Sequence, residues 1–172
     1  RALLRKLLEV YNARSEEMAR AISLEMGAPL KMARAQQVGA GSWHLEGFIK
    51  AFETFEFDTP FTDTEMTLRE PIGVCVLINP WNYPLMQMVG KFAPAFAAGC
   101  TVVAKPAEQT PLPDVIMAEI FHKVGLPAGV FNLLMGLGSD IGGPLCSHPD
   151  VDMVSFTGST SAGIKVAQAA AP

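Results

Sequence analysis

Three cysteines in 172 residues, Cys75, Cys100 and Cys146, with no Cys-x-x-Cys among them, exclude a disulfide framework and a cysteine zinc site. They fit a reducing, cytoplasmic compartment. Charge is scarce as well: Asp, Glu, Lys and Arg supply 17% of the residues, below the usual quarter. The net charge of -4 offers no basic surface for nucleic acid or for an anionic membrane. No apolar run is long enough to span a bilayer, because the longest, 72–104, is interrupted by Pro80, Pro84, Lys91 and Pro94. There is no secretory-leader pattern, and the chain already reads as helix just after Arg1. His44, His122 and His148 show no partner pattern and read as structural. What is abundant is apolar: hydrophobic residues make up 49%. A chain of this length buries one sizeable core. With so little charge, it is expected to bury part of its surface against further protein, either the rest of its own chain or a neighbouring subunit.

Leu4, Leu7, Leu8, Tyr11, Met18 and Ile22 recur at helical spacing and predict a helix over 2–26, ended by Gly27-Ala28-Pro29. A second helix is predicted from 30 to about 55, although Gly39, Gly41 and Gly47 weaken it. Both read as packing elements. Thr59-Pro60-Phe61-Thr62-Asp63 reads as turn, and 65–70 alternates like a half-buried strand. Beyond Pro71, strands over 74–78, 101–104, 130–134 and 153–156 alternate with helices over 85–98, 112–124, 141–147 and 161–170. The chain thus divides into N-terminal helices (1–56), a connecting segment (57–71) and βα repeats (72–172). Short, continuously apolar strands alternating with amphipathic helices imply an α/β fold, with a parallel sheet covered on both faces.

Polar residues cluster at the predicted strand ends. Asn82 sits in a proline-braced turn, Asn79 to Pro84, directly after the first repeat strand. A side-chain amide there is a neutral donor that can hold an oxyanion without titrating. Lys105 and Glu108 follow the next strand in a loop stiffened by Pro106 and Pro111. Such a pair can grip vicinal hydroxyls, and it can equally form a surface salt bridge. Gly158-Ser159-Thr160-Ser161-Ala162-Gly163 opens a helix after the last strand. Its free N–H groups and hydroxyls suit a pyrophosphate oxygen, and an ordinary Ser/Thr helix cap explains them as well. Gly136-x-Gly138-x-x-x-Gly142 misses the dinucleotide spacing by one residue and serves a plain βα turn equally.

Taken in order, Asn-Pro-Trp-Asn-Tyr-Pro-Leu from Asn79, Lys-Pro-Ala-Glu-Gln-Thr-Pro from Lys105 and Phe-Thr-Gly-Ser-Thr-x-x-Gly from Phe156 resemble the aldehyde dehydrogenase superfamily. The similarity runs on through 125–132, 147–152 and the Arg69-Glu70-Pro71-Ile72-Gly73-Val74 junction, and covers essentially the whole chain. The resemblance implies a doubly wound parallel sheet, a Rossmann-like NAD-binding domain, preceded by helices. It implies that Asn82 donates to the oxyanion of the thiohemiacetal formed when a cysteine attacks an aldehyde. Lys91 matches a lysine implicated in proton relay, though a solvated helix charge explains it nearly as well. Ile78 and Trp81 would line the cofactor groove, and Lys105 and Glu108 would hold the adenosine ribose. Gly158 and Ser159 would meet the pyrophosphate, with Gly138 and Gly163 allowing close approach and packing. Glu108 would repel a 2′-phosphate, so NAD is expected over NADP. Tyr83 and Met86 are candidates for the aldehyde tunnel.

The family's Glu-Leu-Gly-Gly turn and its Gly-Gln-x-Cys nucleophile do not occur in these residues, and none of the three cysteines stands in for the latter. The expectation is therefore that nucleophile and general base lie past Pro172, in a catalytic domain. The expected activity is NAD-dependent oxidation of an aldehyde to a carboxylic acid by a homodimer or homotetramer. A non-catalytic NAD-binding module, and a CoA-acylating or NADP-preferring relative, stay open as alternatives.

Overall fold

The computed structural model describes residues 1–171. Helices α1 (Ala2–Ala13) and α2 (Ser15–Met26) lead the chain, and Gly27, at φ 75°, closes α2. The single helix expected over 2–26 is broken at Arg14, whose backbone leaves the helical region. No glycine or proline marks that break. Arg14 instead reaches Glu17 and Glu119, both at 2.6 Å, and so ties the corner to a helix far along the chain. The next helical run is continuous, as expected, but composite: α3 (Leu30–Met32), a π-helical segment (Ala33–Val38) and α4 (Gly39–Thr54).

Strands β1 (Asp58–Pro60) and β2 (Met66–Leu68) form an antiparallel hairpin. Part of the stretch read as turn is therefore β1. The strand predicted at 65–70 exists only as β2, and it is exposed throughout rather than half-buried, because no second layer covers the hairpin.

The βα repeats follow as β3 (Val74–Ile78), α5 (Pro84–Ala97), β4 (Thr101–Lys105), α6 (Leu112–Val124), β5 (Phe131–Leu133), α7 (Gly138–Cys146), β6 (Met153–Phe156) and α8 (Thr160–Ala170). The four strands form one parallel sheet in the order β5-β4-β3-β6. Side chains of β3 alternate between two cores. Cys75 and Leu77 join the larger one, with residues of α1, α2, α4, α5 and α6. Val76 and Ile78 face the smaller one, with Cys146 of α7 and Val166 and Ala169 of α8. The large core is centred on Phe92, Phe96, Phe121 and Phe131, whose ring centroids lie 4.5–5.5 Å apart in sequence of contact. All three cysteines are buried.

The chain runs outward from β3 to β5 and then returns to lay β6 on the other side of β3. That reversal opens a crevice at the carboxyl ends of β3 and β6, where doubly wound sheets bind ligands. The return is pinned by Asp152, which accepts from the Val74 N–H at 2.7 Å. Gly73, at φ 124°, permits this, because a Cβ there would run into the Asp152 carboxylate. Among the described residues no helix is long and apolar enough to cross a membrane.

Candidate functional site

A groove of about 560 Å³ occupies the crevice. Asn79 to Tyr83 and Gln87 form one wall, Ala107 and Glu108 the floor, and Phe156 to Ser159 with Ala162 the other wall. Except for Gln87 on α5 and Ala162 on α8, these residues stand at or just past the ends of β3, β4 and β6, where sheet register sets their spacing. The ladder extends into the loops: the Asn79 N–H donates to the Lys105 carbonyl and the Thr157 N–H to that of Ile78, both at 3.1 Å.

The first wall is braced from behind. Lys91, on α5, donates through Nζ to the Ile78 carbonyl (2.6 Å) and to Asn79 Oδ1 (2.8 Å). Burial pushes its ammonium down to about 8, with the Asp114 carboxyl pulling the other way. Asn79 is itself buried, and its amide nitrogen lies 3.4 Å from the Met88 sulfur. The Asn82 carbonyl accepts from Gln37 Nε2 at 3.0 Å. The Asn82 side chain is exposed on the groove and enters no hydrogen bond among the described residues. Its amide is therefore free to donate to a ligand.

On the floor, Glu108 is exposed while Lys105 is only 3% exposed. Lys105 Nζ donates to the Pro106 carbonyl at 2.8 Å and lies 3.4 Å from Glu108 Oε2. The Glu108 carboxyl is held below the usual carboxylate range, first by its own backbone N–H and then by Lys105 and the Gly138 N–H. On the far wall, Ser159 caps α8, its hydroxyl accepting from the Ala162 N–H at 3.3 Å. The helix-cap reading of this serine thus holds, and it lines the groove as well. The N–H groups of residues 158–161 donate to no protein acceptor among the described residues. Such an array favours an anion. Gly158 keeps the turn flat against the sheet, since a Cβ there would collide with the Phe156 ring.

Of the residues singled out from the sequence, Trp81, Asn82, Tyr83, Glu108, Gly158 and Ser159 share one groove, and Met86 does not line it. Gly138 lies in an adjoining cleft of about 400 Å³ between α7 and α8, with Gly142, Gly143, Lys165 and Val166. A Cβ on Gly138 would meet nothing within 4 Å, so the space it leaves is open to a ligand rather than filled by the chain. Gly163 packs toward Phe156 on the outer side of α8, where a Cβ would find ordinary contact at 3.5 Å. Ile78, Lys91 and Lys105 stand behind the groove, holding it, and do not line it. Sequence reasoning missed Thr157, Gln87, Ala107 and the α7–α8 cleft. It also missed Gln37, which carries no motif and reaches the site only through tertiary packing.

The groove therefore combines a free amide donor, a fixed carboxylate and the free N–H groups of Gly158 and Ser159. This donor set fits an extended ligand with hydroxyls and a phosphate. The profile described as the Aldehyde dehydrogenase family matches residues 1–172. The 3-succinoylsemialdehyde-pyridine dehydrogenase of a Pseudomonas sp. is 47% identical over 171 residues, 99% of this chain and 36% of that protein. Aldehyde Dehydrogenase C from Pseudomonas syringae, solved as a cysteine-to-alanine mutant complexed with NAD+ and octanal, is 50% identical with a TM-score of 0.96, covering 99% of this chain and 35% of that one. Aldehyde dehydrogenase from Bartonella henselae is 44% identical, also with a TM-score of 0.96, over 99% of this chain and 36% of that one. The chain spans about a third of the length of these relatives.

Proposed function

Because the chain belongs to the aldehyde dehydrogenase family, we propose that it supplies the NAD groove and the oxyanion donor of an enzyme that oxidises an aldehyde to a carboxylic acid. The carrying observation is that Asn82, whose amide is unengaged, and Gly158 and Ser159, whose N–H groups are unengaged, line one groove at the sheet's reversal point. The free N–H groups at Gly158 and Ser159 would hold a pyrophosphate. Glu108 accepts from ribose hydroxyls, and Lys105, buried beneath it, fixes the carboxylate. The α7–α8 cleft, lined by Gly138 and Gly142, would take the base joined to that ribose. Bound there, NAD supplies the two-electron acceptor for the aldehyde hydrogen. Asn82 donates to the oxygen that becomes negative when the aldehyde carbon is attacked. Lys91, braced against the same loop and poised near 8, holds or passes a proton at the back of the site.

In the enzyme carrying this sequence, Asn82→Ala is expected to lower kcat by about 10²–10³ while leaving the Kd for NAD unchanged, because the oxyanion exists only after attack. Stopped-flow turnover with fluorescence titration of NAD separates the two. Equal losses in kcat and NAD affinity would make Asn82 a structural residue.

A further inference from the structure

We propose that Gln37 is a positioning residue for the oxyanion donor, acting through the backbone of Asn82. The inference rests on the reading of Asn82 given above. Gln37 lies in the π-helical segment Ala33–Val38 and is completely buried. Isolated π-turns inside helices are uncommon, and where they occur they often serve functional sites by displacing one side chain from its helical position. Here the segment delivers a long polar side chain to the core side of the loop after β3, where Nε2 donates to the Asn82 carbonyl at 3.0 Å. Its other polar atom, Oε1, has no partner. A side chain needed only to fill this space would be apolar, since burying an unpaired amide oxygen is unfavourable. The amide is best explained by the single bond it makes.

That bond acts at a sensitive point. Asn82 is exposed, and among the described residues no other hydrogen bond reaches its backbone or its side chain. Lys91 and Lys105 fix Ile78 and Asn79 at the start of the loop, and Pro84 begins α5 at its end. Between them, Tyr83 adopts φ -142°, ψ 63°, outside the regular regions. Holding the Asn82 carbonyl fixes the peptide plane between Asn82 and Tyr83, hence ψ of Asn82. It thereby fixes the direction in which the Asn82 side chain leaves the main chain. An oxyanion donor must be aimed before charge develops, so its backbone brace contributes to turnover and not to cofactor affinity.

The test is a double-mutant cycle in the intact enzyme. Gln37→Met, similar in volume and unable to donate, is expected to lower kcat about tenfold, the kinetic equivalent of one net hydrogen bond. The Kd for NAD should stay within about twofold, because the brace acts on the other wall. In an Asn82→Ala background the same substitution should cost nothing further, since the group it aims is gone. Gln37→Glu, whose buried carboxyl is held neutral and can still donate through its O–H, should keep kcat within about threefold of the parent. It also serves if the methionine variant fails to fold. Additive losses, or a fall in NAD affinity parallel to kcat, would assign Gln37 to general packing and overturn the proposal. So would full activity of Gln37→Met. Full activity of Asn82→Ala would instead remove the oxyanion reading itself, and the role of Gln37 with it.

Discussion

On the proposed reading of the groove, Glu108 is the charge that would separate NAD from NADP. Its carboxylate is exposed on the floor, held from behind by Lys105 and from beside by the Gly138 N–H. A 2′-phosphate arriving at the same ribose would meet like charge at close range, whereas a hydroxyl would donate to it. Glu108→Ser should therefore narrow the gap between NAD and NADP in kcat/KM by about tenfold or more, chiefly through a gain in NADP. An unchanged ratio would show that the carboxylate faces elsewhere. Asn82, Glu108, Gly158 and Ser159 were legible in the sequence because turn chemistry at a strand end is local: a proline-braced amide or a Ser/Thr cap declares its position within a few residues. Lys105 and Lys91 were legible as residues but not in their placement. A long side chain after a strand can turn either way, and only the packing of α5 and the β3 and β4 loops decides.

At the scale of the element, the β6–α8 turn combines tight packing with open donors. The absent Cβ of Gly158 lets the backbone lie against Phe156 while the N–H groups of residues 158–161 stay without a protein acceptor among the described residues. Gly158→Ala must push the turn outward, so it should weaken NAD binding by about tenfold without changing the far-UV spectrum, because one displaced anion site costs roughly 1–2 kcal/mol. Isothermal titration measures it, and unaltered affinity would mean that the turn does not touch the cofactor. The βα repeats were legible because each is a local period bounded by Gly or Pro. The N-terminal half was less so. Arg14 breaks α1 from α2 through ion pairs to Glu17 and Glu119, which no periodicity reveals. The π-helical turn at Ala33–Val38 is likewise made of ordinary helix formers.

For the whole molecule, one buried and one half-buried ionisable group push the pH dependence of stability in opposite directions. Asp114 is fully buried with both oxygens unpartnered, and burial, aided by nearby Glu25 and opposed by Lys91, raises its carboxyl well above 3.8. The folded chain thus keeps a proton that the unfolded chain has released, so stability falls as pH rises above that value. Lys91 does the reverse. Folding lowers it from 10.5 to about 8, so unfolding takes up a proton in that window and stability rises across it. Asp114→Asn should raise the urea midpoint at neutral pH and flatten the decline that sets in as pH rises above 3.8, while the rise due to Lys91 persists. Parallel pH profiles for parent and variant would show that Asp114 is ionised in the fold. The strand order carries one more consequence, in time rather than in space. β3, β4 and β5 pair with neighbours one helix away, but β6 must find β3 across a gap such as the 78 residues between Val74 and Asp152. Closing that longer loop costs about 1 kcal/mol more chain entropy than pairing β3 with β4, so β6 is expected to dock last. The two walls of the groove therefore come from an early and a late piece of the sheet. A ligand that bridges Asn82 and Ser159 would bind only after the last strand has docked, and would slow that strand's departure.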